Sequence, residues 1–352
     1  MSLAERLRRR IETEGPMTMA DWMAACLLDP EDGYYTTREP FGARGDFTTA
    51  PEISQMFGEL VGLALAQAWL DQGRPEGAIL AELGPGRGTL MADALRAVRA
   101  IPGFPAQVHL VEASPRLRDR QLAAVPGARH HDSLADLPDA PLFLVANEFF
   151  DALPVRQFVR SGAAWRERMV RWADGFEIAL APELPSSALE HRLADTPDGA
   201  VVELAHGAET IAGEIGRRIA ARGGAALIID YGGWRGTGDT VQALRDHAPI
   251  DPLAHPGKAD LTAHVDFALL ARAAHPARPS ALTPQGVFLE RLGITARAQA
   301  LAAGLGGAAL ESHVAAHRRL THPAEMGDHF KVLGLGPPGA PPLPGLDPME
   351  TA

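Results

Sequence analysis

The run Ala78-Ile79-Leu80-Ala81-Glu82-Leu83 leads directly into Gly84-Pro85-Gly86-Arg87-Gly88, and then into Thr89-Leu90-Met91-Ala92-Asp93-Ala94-Leu95-Arg96. A short apolar run carrying one acid predicts a buried strand, the glycines a tight turn, and the last stretch a helix over 89–99. Glycines in such a turn let the backbone bend sharply and let a ligand touch main chain. The helix N-terminus behind them offers unpaired N–H groups. A dinucleotide fingerprint of the form G-x-G-x-x-G would need its third glycine at position 89. Thr89 stands there, and the third glycine comes one residue early. A plain tight strand-to-helix turn stays open beside the ligand-binding one.

Working outward, Val108-His109-Leu110-Val111-Glu112 predicts a second strand, and Ser114-Pro115 opens a helix over 115–124 as N-cap and first-turn proline. Further strands are expected at 141–146 and 225–230, the latter preceded by a helix over 208–222 that closes at Gly223-Gly224. Strands alternating with helices mean parallel units and a doubly wound, Rossmann-like α/β sheet. Before this core, helices are expected at 3–13 and 18–28, broken at Gly15-Pro16, and an apolar helix at about 53–70. The glycine-rich loop 42–51 suits a segment lying over a pocket or a plain connection. Residues 155–180 alternate at period two and predict an antiparallel meander. Residues 262–320 read as helical, and the proline-rich tail as disordered. The resulting division is an N-terminal helical or lid segment (1–75), a first part of the core (76–154), an inserted meander (155–200), the remaining core with a helical addition (201–335) and a disordered tail (336–352).

With 352 residues, 46% hydrophobic and 22% charged, the chain has an ordinary globular composition. Its 33 Lys+Arg against 44 Asp+Glu leave a net charge of −11, a surface that repels nucleic acid and anionic lipid. No stretch approaches the roughly 18–20 apolar residues of a membrane span. The single cysteine, Cys26, excludes an internal disulfide framework and a cysteine-based zinc site. A soluble, cytoplasmic protein is expected, with no nucleic-acid partner and no membrane insertion; a homodimer stays open.

The candidate chemistry clusters at strand ends. A carboxylate at Glu112 can accept both hydroxyls of a ribose, whether of a nicotinamide or another adenosyl cofactor. His130-His131-Asp132-Ser133 forms a polar strand end after the second helix. After the next strand comes Asn147-Glu148-Phe149-Phe150-Asp151-Ala152-Leu153-Pro154. Strand carboxyl ends of open α/β sheets are where ligands bind, and polar groups set between bulky aromatics are costly unless used. The competing reading makes Glu148 and Asp151 caps of a following helix. His313 and His317 stand four apart without an acidic partner motif, so no metal is expected.

Several blocks together resemble one family, the MidA-like S-adenosylmethionine (SAM) dependent methyltransferases. They are Pro30 to Tyr35, Gly45-Asp46-Phe47, Pro51 to Leu60, Glu82 to Gly88 in E-x-G-x-G-x-G spacing, and Asn147 to Pro154. Trp165 to Arg168, Asp230-Tyr231-Gly232, Ala263 to Phe267 and Met326 to Leu333 complete the set. They span about 15 to 333. One departure is His255-Pro256-Gly257-Lys258, where the family usually carries a Gly-Asp-Pro-Gly-type turn. The mitochondrial members of this family are protein arginine methyltransferases of respiratory complex I assembly. The resemblance implies an enzyme that uses SAM, with Glu82, Gly84, Gly86, Gly88, Glu112, Asp132, Ser133 and Asn147 around the cofactor. It also implies catalytic roles for Asp46, Asn147, Glu148 and Asp151, and as partner a protein with an accessible arginine, such as a respiratory-complex protein. Two alternatives remain: a methyltransferase for a small molecule or another side chain, and a non-catalytic SAM-binding assembly factor.

Overall fold

The computed structural model of the chain describes residues 1–37, 48–104, 107–245 and 247–349. Asp46, expected at the site, lies outside the described residues. Two compact units emerge: Thr48–Phe150 with Glu209–Trp234 and Asp266–Ala352, and Met1–Phe47 with Asp151–Ala208 and Arg235–Val265.

In the first unit, the fully buried strand Ile79–Leu83 lies between Gln107–Val111 and Leu142–Asn147, parallel to both. Arg129–His131 extends the sheet past Gln107–Val111, and Gly224–Gly233 extends it past Leu142–Asn147, again in parallel. Phe330–Gly336 then pairs antiparallel with Gly224–Gly233. Parallel strands covered on both faces are apolar throughout, which is why these runs are continuous rather than alternating. The chain moves one way through 107–111 and 129–131, then restarts in the other direction at 142–147. That reversal, between Ile79–Leu83 and Leu142–Asn147, is where such sheets bind ligands.

Helix Gln55–Asp71 packs on helix Thr89–Val98 through Gly58 and Gly62, which share one face four residues apart. A Cβ at Gly62 would fall 2.7 Å from the Cα of Ala94, so only glycine permits this approach. Thr48–Phe150 lie within one unit, which runs through position 75. The tail expected to be disordered departs from its reading. Leu343 and Leu346 are buried in the main core cluster, and a Cβ at Gly334 would stand 2.5 Å from Leu346. Two leucines are enough apolar area to hold a proline-rich segment against a sheet.

The other unit contains the expected meander. Arg156–Ser161 pairs with Ala164–Trp172, which pairs with Phe176–Leu180, all antiparallel. Met17–Thr18 and Val201–Leu204 extend this sheet. Helices Leu3–Glu14 and Met19–Leu28 contribute Leu7, Ile11, Trp22 and Met23 to a core shared with Val155 and Val170. Cys26 sits in that core, and burial pushes its thiol up to about 12, so it is a packing residue rather than a nucleophile. No helix among the described residues is long and apolar enough to cross a membrane.

Candidate functional site

Leu83 pairs with Val111 on one side and with Ala146 on the other, and Val111 pairs with His131. The next residues along these strands are Gly84, Glu112, Asn147 and Asp132. Parallel registration therefore sets four sequence candidates in one row at the carboxyl edge of the sheet. Glu148 stands one step further out, level with Asp230, since Asn147 pairs with Ile229.

The glycine turn bends as its composition requires. Gly84, Gly86 and Gly88 have φ of 60°, 52° and 82°, in the left-handed region that L side chains avoid. The N–H of Gly84 donates to the carbonyl of Val111, and that of Gly88 to the carbonyl of Pro85. A Cβ at Gly84 would lie 2.8 Å from the ring of Phe149, so the turn and the Asn147–Phe149 segment touch. Glu82 is buried in the strand below. Burial pushes its carboxyl up to about 8, opposed by a hydrogen bond from the Met91 backbone and reinforced by Glu112. Its Oε2 and the Oδ1 of Asn147 are buried polar atoms without a protein partner. Two orphaned polar atoms beside a cradle of bare backbone suit a polar ligand.

Glu112 is held at both oxygens. The Ser114 N–H donates to Oε1 at 2.8 Å, and the Gln121 side-chain amide donates to Oε2 at 3.1 Å. Burial raises its carboxyl, and these two hydrogen bonds oppose the rise. The same Gln121 amide donates to the Gly86 carbonyl at 2.8 Å. Gln121 was not among the sequence candidates. Its signal was there, because it stands four residues after Leu117 on the face that the helix Pro115–Ala124 buries. Asp132 is placed differently from Glu112: its carboxylate accepts from Arg118 at 2.5 Å, and its side chain is 87% exposed. Ser133 caps a short turn, its N–H and hydroxyl both donating to Asp136.

Glu148 adopts φ 50°, a conformation that costs a non-glycine residue about 1–3 kcal/mol and is typical of positions held for use. Its Oε1 accepts from the Ala50 N–H at 2.9 Å and from the Asn147 amide at 3.1 Å. Ala50 opens the short helix Ala50–Ile53, whose Glu52 accepts from the Thr89 hydroxyl at 2.5 Å and pairs with Arg87 at 3.4 Å. The segment after Thr48 is therefore pinned to the glycine turn at one end and to Glu148 at the other. Asp230 supports the opposite side, accepting from the N–H groups of Phe150 and Tyr231. The helix-cap reading of Glu148 and Asp151 fails, because the next element is the strand Arg156–Ser161. Asp151 is buried in the other unit, where its carbonyl accepts from the Ala263 N–H. His313 reaches the carbonyl of Ala298, while His317 reaches the Thr295 hydroxyl.

An open parallel sheet with a glycine turn at its switch point and an acid ending the second strand defines a nucleoside-cofactor enzyme of the Rossmann-like class. Residues 60–284 match the model of the family described as "Putative S-adenosyl-L-methionine-dependent methyltransferase", and the chain belongs to this family. It is 37% identical to the protein arginine methyltransferase NDUFAF7 homolog, mitochondrial, of Drosophila melanogaster, covering 96% of this chain and 85% of that one. It is 35% identical to the mitochondrial protein arginine methyltransferase NDUFAF7 of Homo sapiens, over 95% and 83%. A solved COG1565 superfamily member from Burkholderia thailandensis, bound to S-adenosyl-homocysteine, superposes with a TM-score of 0.84 at 30% identity, over 97% of this chain and 94% of that one. The chain is a SAM-dependent methyltransferase. The orphaned polar atoms fit this cofactor, which carries hydroxyl, ammonium and carboxylate groups to meet them. One expectation is corrected. The cytoplasmic location is overturned by relatives that are mitochondrial by name. A lone cysteine excludes an internal disulfide framework, but it does not separate one reducing compartment from another.

Proposed function

We propose that the chain is a protein arginine N-methyltransferase whose acceptor is a protein of respiratory-complex type. Two relatives at 35–37% identity carry the name protein arginine methyltransferase, which supports the acceptor class. The observation that carries the reading is Glu148. A glutamate in left-handed backbone, its carboxylate tied to Asn147 and Ala50, stands one step beyond the cofactor row.

In this reading Gly84, Gly86 and Gly88 supply the backbone cradle, and Glu112 accepts from the ribose hydroxyls. Glu82 and Asn147 offer their buried oxygens, with Asp132 and Ser133 at the rim. The cofactor, when bound, supplies a methyl group on a sulfonium that leaves as a neutral thioether. The protein's own task is alignment, worth far more than any single contact in a transfer of this kind. A guanidinium with a pKa above about 12 is a poor nucleophile, its lone pair delocalised. The Glu148 carboxylate draws the positive charge toward one nitrogen and is placed to take the proton released on methylation. Asn147 fixes the rotation of that carboxylate through Nδ2. Phe149 and Phe150 flank it and limit water, which strengthens the charge pairing.

Transfer of radiolabelled methyl from SAM into a lysate, resolved by protein gel and by small-molecule extraction, tests the reading. Label in discrete protein bands supports it. Label only in the small-molecule fraction makes the chain a small-molecule methyltransferase, and no label in either makes it a binding protein.

A further inference from the structure

Helix Pro115–Ala124 buries two residues, Leu117 and Gln121, and Gln121 has no exposed surface at all. A glutamine has a neutral, long and flexible side chain, and losing its freedom and its water is costly unless every polar atom is used. Here each atom is used. Nε2 donates to the Gly86 carbonyl at 2.8 Å and to Glu112 Oε2 at 3.1 Å, and Oε1 faces His130 Nε2 at 2.8 Å. The chemistry of the partners settles the amide's orientation. A carbonyl and a carboxylate can only accept, so the end between them is the NH2 group. The oxygen therefore points at His130, whose Nε2 must carry a hydrogen.

We propose that Gln121 is a positioning residue for cofactor binding, clamping the Glu112 carboxylate to the Gly86 carbonyl, with His130 holding its amide in the productive orientation. The proposal rests on the reading that Glu112 and the glycine turn hold the adenosyl group. The clamp acts on geometry, because one amide ties the Gly86 carbonyl to the Glu112 side chain, where the backbone bond from the Gly84 N–H to the Val111 carbonyl fixes only the strand ends. It also acts on charge. The N–H donated to Glu112 favours the carboxylate form against the burial that disfavours it. A donor to that carboxylate keeps it able to accept both ribose hydroxyls at lower pH.

The charged and titratable groups packed around the clamp come from three elements. Glu82 lies in the strand below, Arg118 on the same helix, and His130 and His131 on the neighbouring strand. None of these donates to the Glu112 carboxylate in place of Gln121. Arg118 instead grips the Glu112 main-chain carbonyl at 2.8 Å through Nε.

Calorimetric titration of the full chain with S-adenosyl-homocysteine, from pH 5 to 8, tests the clamp. Gln121→Met keeps length and removes both donors; Gln121→Glu keeps the shape and adds a charge beside Glu112, so it serves if the methionine variant folds poorly. Glu112→Gln is the control for the underlying reading. The expected result is that Gln121→Met weakens binding about tenfold or more, the loss of a hydrogen bond to a charged group. Its affinity should fall off at a higher pH than the parent's as acid is added. Combined with Glu112→Gln, it should add little further loss, since it acts through that residue. If Glu112→Gln weakens binding while both Gln121 variants bind within twofold of the parent with an unchanged acid limb, the clamp is overturned and the cofactor reading stands. If Glu112→Gln itself binds like the parent, the cofactor reading and the clamp fall together.

Discussion

The backbone N–H of Ala50 donates to Glu148 Oε1 across 2.9 Å, joining the start of a short helix to the residue just beyond the strand Leu142–Asn147. Ninety-eight positions separate the two in the chain. Through this bond the start of the helix Ala50–Ile53 orients a carboxylate at the sheet edge.

Losing one grip on a desolvated guanidinium costs about 2–5 kcal/mol, by analogy with truncated buried charge pairs. Glu148→Gln should therefore slow methyl transfer about 30–4000-fold, at about 1.4 kcal/mol per factor of ten. Affinity for SAM should barely change. Steady-state rates together with SAM titration check both halves, and a matching loss of SAM affinity would move Glu148 to the cofactor side.

Glu52 ties the same segment to the glycine turn through Thr89 and Arg87. Glu52→Ala should free this anchor without touching the sheet. Hydrogen exchange is expected to quicken about tenfold or more at the amides of 50–53, while the amides of Ile79–Leu83 keep their protection. Unchanged exchange at Ala50 would mean that Glu148 alone holds the segment.

Gly86 sits at φ 52° in the turn. Gly86→Val adds a branched side chain where L residues are strained by about 1–2 kcal/mol and where bare backbone is needed. Binding of SAM and of S-adenosyl-homocysteine should weaken at least about a hundredfold by calorimetry. A variant that binds as tightly as the parent would remove the turn from the cofactor site.

Glu82 predicts a pH dependence of stability. Its carboxyl is raised by burial to about 8 in the fold, against an ordinary value of 4.5. A group raised on folding favours the fold while protonated. Its contribution is full below about 4.5 and is lost as pH rises through about 8. Urea unfolding of ligand-free parent and Glu82→Gln should show the parent losing on the order of 5 kcal/mol relative to the variant across that window. A difference that stays flat with pH would contradict the buried, protonated acid.

Much of this site could be read in the sequence, and the reason is the period of a parallel sheet. Each apolar run ends in a residue unlike it: Leu83 gives way to Gly84, Val111 to Glu112 and Ala146 to Asn147. Equal registration brings those ends level without any long-range information. What stayed hidden depended on contacts between distant segments. Gln121 reads as a routine polar helix residue until the Gly86 carbonyl and Glu112 are seen on either side of it. The tail misled for the opposite reason, because its prolines outnumber the two leucines that anchor it. Asp132 was legible as a strand-end acid, but nothing in its neighbours announced that Arg118 would take its carboxylate.

The central claim, transfer of a methyl group to arginine, is tested most directly by the chemical identity of the product. Protein labelled by the parent enzyme with radiolabelled SAM would be hydrolysed to amino acids and the label separated by chromatography. The account predicts label in N-methylated arginine, and a signal reduced at least about tenfold with Glu148→Gln. Label in another methylated amino acid, or arginine label undiminished in that variant, would contradict it.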